Sequence, residues 1–398
     1  MLKPSKRSIN LPQAATRKLS KFADAAKKAG KKVYHLNIGQ PDVDSPEQVL
    51  QALTKYDQKY IPYTASQGNL SYREKLLKYY RKHNIDITAE EILVTASGSE
   101  ALFFALSVAC DLDDEIIVPE PFYTNYSTIA GIAGVNIIPV TAKFEESFAL
   151  PPIESFSEKI TDKTKAILIC NPSNPTGYVY SEKELLELKE LCIKHNLFLI
   201  SDEVYREFNY SETEIISALN ISGMEDRTIV VDSVSKRYNT CGLRIGAFIT
   251  RNQDVITSTL KYAQARLSPP TLGQFVAEEA IETPDSYFDE VTEKFIGRRD
   301  LLVERINNIP GAKCNKPEGA FYLLAKLPVD NAENFCKWLL TDFDDNQETI
   351  MFAPAEGFYK TPGLGVNEVR IAYVLNRKDL NRAMDILEKA LATYPGKE

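Results

Sequence analysis

The run Ser233-Val-Ser-Lys-Arg-Tyr-Asn-Thr-Cys-Gly-Leu-Arg-Ile-Gly246 places an amine, two hydroxyls and a guanidinium in one short segment. Lys236 can form a Schiff base with a carbonyl group, and Ser233, Ser235 and Arg244 can hold a phosphate beside it. An isolated lysine is ordinarily a solvated surface group, so the weight falls on what accompanies it. In Ile92-Leu-Val-Thr-Ala-Ser-Gly-Ser-Glu-Ala-Leu102 a strand runs into Ser97-Gly98-Ser99, where a helix starts. The free amides of such a start and the Ser99 hydroxyl suit a phosphate, although small residues there are more often a simple cap. Cys170-Asn-Pro-Ser-Asn-Pro-Thr-Gly177 is a rigid turn after another strand. It is either an ordinary connection or a device that points the Asn174 amide into a site at the carboxyl end of a sheet. Leu197-Phe-Leu-Ile-Ser-Asp-Glu-Val-Tyr205 puts Asp202 at a strand end with Tyr205 three residues on. That acid can cap a helix, or it can pair with a protonated pyridine nitrogen while Tyr205 donates to the ring's phenolic oxygen. Four such motifs in order, each at a strand end, overturn the surface-lysine reading and point to covalently bound pyridoxal phosphate.

Strand ends converge only if a sheet gathers them. The apolar runs Ile92–Thr95, Glu115–Val118, Asn136–Ile138, Ala166–Ile169, Leu197–Ile200, Thr228–Val231 and Ile245–Ile249 lack polar alternation, as strands covered on both faces require. Between them lie amphipathic runs. Glu182–His195 carries Leu185, Leu188, Leu191 and Cys192 at helical spacing behind the capping box Ser181-Glu-Lys-Glu184. Thr88-Ala-Glu-Glu91 repeats that box and reads as a helix start or a turn. The expected architecture is α/β: a three-layer domain with a mostly parallel sheet over residues 42–285. After residue 285 the pattern changes to a helix over Phe288–Ile309, strands at Ala320–Leu324 and Val369–Val374, and a last helix over Lys378–Ala392. A smaller α+β domain built from 1–41 and 286–398 is expected.

The 398 residues suffice for a large and a small domain, and 26% charged with 44% apolar residues is an ordinary globular composition. A net charge of -8 argues against a nucleic-acid partner. No apolar run approaches the roughly 20 residues that span a bilayer, and the basic stretch at Lys3, Lys6 and Arg7 lacks the apolar core of a secretory signal. Six scattered cysteines without a Cys-x-x-Cys pair suggest reduced thiols and a cytoplasmic location. None of the three histidines has metal-ligand spacing, and His83 and His195 read as helix-end residues.

Together these motifs resemble the class I/II aminotransferases, fold type I of the pyridoxal phosphate enzymes, from Asn37 to about Tyr373. The resemblance implies that Lys236 carries the Schiff base, Asp202 pairs with the pyridine nitrogen, and Asn174 and Tyr205 hold the phenolic oxygen. It implies a phosphate site from Ser233, Ser235, Arg244 and the Gly98-Ser99-Glu100 turn, with Tyr123 stacked on the ring. Tyr63 matches a tyrosine that reaches the neighbouring subunit's phosphate, which implies a homodimer with composite sites. Arg370 matches the arginine that binds the substrate α-carboxylate through a bidentate fork, Gly39 a backbone contact to the same group, and Asn174 a further substrate contact. Phe321 lines the substrate channel or packs in the core.

The implied reaction is ping-pong transamination between an L-amino acid and a 2-oxo acid such as 2-oxoglutarate, with Lys236 as general base. Aspartate or glutamate comes first as donor, and an aromatic or broad-range enzyme second. Arg266 is either a contact to a side-chain carboxylate or, preferably, a structural ion pair. A carbon–sulfur β-lyase on the same fold stays open, because fold and cofactor motifs do not select the reaction. A cofactor-binding regulator of DNA is remote, since no DNA-binding domain is expected before the core.

Overall fold

A computed structural model describes residues 2–12, 15–212 and 214–396. The first strand, β1 (Lys32–His35), lies outside the main sheet. Seven strands make that sheet: β2 (Ile92–Thr95), β3 (Glu115–Glu120), β4 (Asn136–Thr141), β5 (Thr164–Cys170), β6 (Phe198–Asp202), β7 (Thr228–Ser233) and β8 (Gly246–Ile249). Their spatial order is β2-β8-β7-β6-β5-β3-β4, and β8 alone runs against its neighbours. Successive side chains of one strand enter opposite cores. In β5, Ala166 and Leu168 face one core while Ile167 and Ile169 face the other. Apolar surface on both faces must be covered, so helices pack on each side and the sheet becomes the middle layer. Each fully buried side chain of this kind contributes about 1.5–3 kcal/mol.

The register brings the chemistry-bearing strand ends to one edge. Asp202 pairs with Cys170 of β5, and both Ser233 and Thr95 flank Gly246 of β8. Gly246 allows this close approach, because an added Cβ would lie 2.5 Å from the Ser97 carbonyl carbon.

Four further strands, β9 (Lys313–Cys314), β10 (Tyr322–Lys326), β12 (Ala353–Pro354) and β13 (Glu368–Ala372), form an antiparallel sheet, while β11 (Glu348–Met351) pairs in parallel with β1. The strand expected from Ala320 begins two residues later, because Ala320 sits at φ +53° and turns the chain. The expected final strand ends at Ala372. The long helix spans Asp285–Asn307, and the last helix Arg377–Thr393. One apolar core runs from the main sheet through Phe321, Phe352 and Ile371 to Leu387. Ser181 and Glu184 form the expected capping box, and Thr88 and Glu91 form one on a short 3₁₀ turn. His83 caps the helix Leu70–Lys82, and His195 is the last residue of Glu182–His195. No helix among the described residues is long and apolar enough to cross a membrane.

Candidate active site

Lys236 lies on the four-residue helix Val234–Arg237, directly after β7. Ser233 caps that helix by accepting from the Ser235 amide at 3.1 Å. The next residue, Arg237, is buried and pairs with Asp232, which also accepts from Tyr80 at 2.7 Å. These anchors leave Lys236 one direction to extend. Its Nζ donates to the Gly39 carbonyl at 2.8 Å and lies 3.7 Å from Sγ of Cys241. Burial lowers its pKa from the usual lysine value, with Cys241 opposing the shift.

Asp202 is buried at the floor of the same cleft. Tyr126 donates to its Oδ2 at 2.7 Å, and the Val204 amide makes a long 3.4 Å contact with Oδ1. Burial pushes its pKa up to about 6, against the hydrogen bond from Tyr126. Asn174 bridges two functional groups. Its Nδ2 donates to the Tyr205 hydroxyl at 3.3 Å, and its Oδ1 accepts from Arg370 at 3.1 Å. The Tyr205 hydroxyl also lies 2.9 Å from that of Tyr322. Tyr123 lines the cleft with its hydroxyl accepting from Asn125 at 3.0 Å.

Gly98 and Ser99 open the helix Gly98–Ala109 and line the cleft together with Ser233, Ser235 and Arg244. The Ser99 hydroxyl makes no hydrogen bond with the described residues, whereas Ser233 Oγ donates to Ser235 Oγ at 3.0 Å. Glu100 departs from the expectation of a cofactor contact. Its carboxylate turns back to accept from the Ala96 amide at 2.7 Å and pairs with Arg266 at 3.4 Å, and its own amide is taken by the Ser97 carbonyl. The carboxylate thereby holds the backbone just before the helix, at the residue preceding the N-cap Ser97. Arg266 is thereby structural: besides Glu100 it donates to the Ser66 and Val94 carbonyls and lies outside the cleft.

Arg370 on β13 is buried under Tyr322 and Phe358, whose ring centres lie 4.4 and 5.0 Å from its guanidinium carbon. It donates to the Asn37 carbonyl at 2.5 Å, and its Nε has no partner among the described residues. Gly39 leaves room for Tyr322, since a Cβ would lie 1.7 Å from the Tyr322 hydroxyl oxygen and would displace that ring. Phe321 is fully buried in the core, with Lys236 Nζ 6.0 Å from its ring centre. Tyr63 is 78% exposed and lines no part of the cleft. Tyr126, Tyr322, Asn37 and Cys241 escaped the sequence reading. Tyr126 alone left a signal, three residues after Tyr123 on a helical spacing.

The cleft measures about 500 Å³ and is lined by the amine, the carboxylate, the hydroxyls and two arginines just described. A group with a carbonyl, a basic ring nitrogen and a phosphate fits this donor set: a buried amine, a buried acid and a helix start with a free hydroxyl. Residues 31–387 match the family model described as aminotransferase class I and II. An aspartate aminotransferase of Bacillus subtilis (strain 168) is 30% identical over 401 residues, covering 98% of this chain and 97% of that protein. One of Thermotoga maritima is 32% identical over 390 residues, covering 97% and 99%. The solved aspartate aminotransferase from Thermus thermophilus with maleate superposes with a TM-score of 0.89 at 28% identity, covering 98% of this chain and all of that one, 100%. The alanine aminotransferase from Pyrococcus furiosus gives 0.88 at 32% identity, covering 97% and 99%. The chain belongs to the class I and II aminotransferases. It is a fold type I, pyridoxal phosphate-dependent aminotransferase.

Proposed function

We propose that this enzyme takes the amino group of aspartate or glutamate and passes it to a 2-oxo acid such as 2-oxoglutarate. The observation that carries the site assignment is the convergence of the Lys236 amine, the buried Asp202 carboxylate and the Arg370 fork on one cleft. Pyridoxal phosphate, when bound, supplies the electron sink for the bond broken at the substrate's α-carbon. Gly98, Ser99, Ser233, Ser235 and Arg244 hold its phosphate, and Tyr123 stacks on its ring. Asp202 keeps a proton on the ring nitrogen, and Asn174 and Tyr205 donate to the phenolic oxygen. Arg370 binds the α-carboxylate through its guanidinium fork, beside the Gly39 backbone. The Lys236 amine would bond the cofactor at rest and, once the substrate's amine has taken its place, would accept the proton from the substrate's α-carbon. Its lowered proton affinity suits that task.

Borohydride reduction of the holoenzyme followed by peptide mass spectrometry tests the assignment. The cofactor mass is expected on the Lys236 peptide, and a Lys236→Ala variant is expected to lose turnover. Modification of another lysine, or wild-type turnover in that variant, refutes it. Pyruvate and ammonia released from cystathionine without any oxo acid would place the enzyme with the β-lyases instead.

The same reading includes a homodimer with composite sites. Leu50, Leu53, Tyr60, Ile61, Tyr63 and Leu267 are large apolar side chains, each more than half exposed. They sit on packed neighbours, because Thr271 donates to the Pro62 carbonyl and Ser66 to that of Leu267. A second copy covering this face would bring Tyr63 to its neighbour's phosphate site. Two working units, 42–285 and 1–41 with 286–398, and a cytoplasmic location complete the proposal. The six cysteines, all free thiols, support that location.

A further inference from the structure

Four cationic side chains line the cleft, and three have tasks in the reading above: Lys236, Arg244 and Arg370. The fourth, Arg17, has none. Its guanidinium makes no hydrogen bond or ion pair with the described residues, although the adjacent Lys18 pairs with Glu333 at 2.6 Å. A solvated surface arginine would look the same side chain by side chain. Its backbone argues otherwise. The Thr16 carbonyl accepts from Asn37 Nδ2 at 2.8 Å, and the Asn37 carbonyl accepts from Arg370. Ala15 is buried in one cluster with Phe358, whose ring packs on the Arg370 guanidinium. Leu19, on the other side, is buried in the main core. The segment is therefore anchored before and after Arg17, and twice through residues that also touch Arg370. Only the Arg17 guanidinium is left free, on a wall whose sole acid is the buried Asp202 at the floor. Tyr123 sits where both arginines act on it: Arg370 and Arg17 each oppose the burial that raises its hydroxyl pKa.

We propose that Arg17 is the specificity-determining residue of the cleft: it reads the side-chain carboxylate of a dicarboxylic substrate whose α-carboxylate is held by Arg370. The inference rests on the transaminase reading of the site and deepens it by naming the substrate class. It also fills the place left by Arg266, which Glu100 and two backbone carbonyls occupy. A planar guanidinium with all its donors free suits a second carboxylate, and a substrate without one leaves it in water at no cost.

The test uses the cofactor-loaded enzyme, its Arg17→Gln and Arg17→Lys variants, and two kinds of readout. The first is the ratio of kcat/KM for aspartate to that for alanine. The second is equilibrium binding of succinate against butyrate, followed by calorimetry. Arg17→Gln is expected to lower the ratio and to weaken succinate relative to butyrate, each by roughly 10- to 100-fold, the range of a charge-assisted hydrogen-bonded pair. Arg17→Lys should restore part of both. Equal losses for both substrates and both acids would overturn the proposal, as would no change in either ratio. If wild-type enzyme transaminates no amino acid, the parent reading fails. If it transaminates and the ratios ignore Arg17, only this inference fails.

Discussion

Tyr126 donates a 2.7 Å hydrogen bond to Oδ2 of Asp202, joining a helix after β3 to the end of β6 beneath the cleft. Burial alone would drive that carboxyl towards its neutral form, and Tyr126 opposes it. Loss of a donor to a charged acceptor costs about 1.5–3 kcal/mol, or roughly one to two pKa units. Tyr126→Phe should therefore raise the proton affinity of Asp202 and move the acid limb of the kcat/KM profile to higher pH. A profile that stays in place would show that Tyr126 only packs.

Arg370→Lys keeps the charge and loses the fork. A buried charge pair broken in this way costs about 2–5 kcal/mol, and the loss should appear in kcat/KM for every amino acid alike. The aspartate-to-alanine ratio should stay near the wild-type value, in contrast to Arg17→Gln. Steady-state kinetics on both donors would decide; a loss confined to aspartate would reassign Arg370.

Glu120 is fully buried at the end of β3, where it accepts from the Thr141 hydroxyl at 2.7 Å and from the Lys360 and Thr361 amides at 2.6 and 3.0 Å. It thereby ties the loop after Phe358 to the main sheet. Glu120→Ala strands those donors, at a cost on the order of 3 kcal/mol. Lower thermal stability and lost hydrogen-exchange protection at Lys360 and Thr361 are expected, with a raised KM because Phe358 supports Arg370. Unaltered exchange at those amides would contradict the clamp.

Acid should unfold the protein in a defined window. Against the burial that raises it, Arg237 and Arg206 hold the Asp232 carboxyl at about 2, below its ordinary 3.8. Glu207, also opposed by burial, is held at about 2, below 4.5, by His83 and Arg237. For a depressed carboxyl the stabilisation is complete above the unfolded value and is lost as pH falls through the folded one. They contribute on the order of 2 to 3.5 kcal/mol each, lost between about pH 4.5 and 2. Asp202 acts in the opposite sense, since its raised value weakens the fold as pH rises from 3.8 to about 6. Urea midpoints measured from pH 5 to 2.5 should fall steeply, and Asp232→Asn should flatten the fall. Equal slopes in both proteins would remove Asp232 from the account.

Tyr63→Phe should weaken cofactor affinity by about tenfold, the worth of one hydrogen bond to a charged group. Mixing this variant with Lys236→Ala subunits distinguishes the origin. In a composite site, the hybrid's one Lys236-bearing pocket receives a wild-type Tyr63 and binds cofactor normally. Weak binding in that pocket would place the Tyr63 effect within its own subunit.

The sequence by itself determined what neighbours along the chain can cause. Alternation-free apolar runs between amphipathic ones dictated a covered, mostly parallel sheet, and Ser181 with Glu184 dictated a helix start, because those forces act within a few residues. Lys236 between two hydroxyls and an arginine announced its chemistry for the same reason. Glu100 is expected at the cofactor, and the strand-to-helix turn does not show that its carboxylate reaches the Ala96 amide and Arg266. Only the tertiary structure decided the rest. Asn37 and Arg370 stand 333 positions apart, Glu120 and Lys360 240, and Tyr126 and Asp202 76. Such pairs leave no periodicity and no local motif. They arise because burial strips water from a polar group and obliges it to find whichever partner the packed sheets bring within reach.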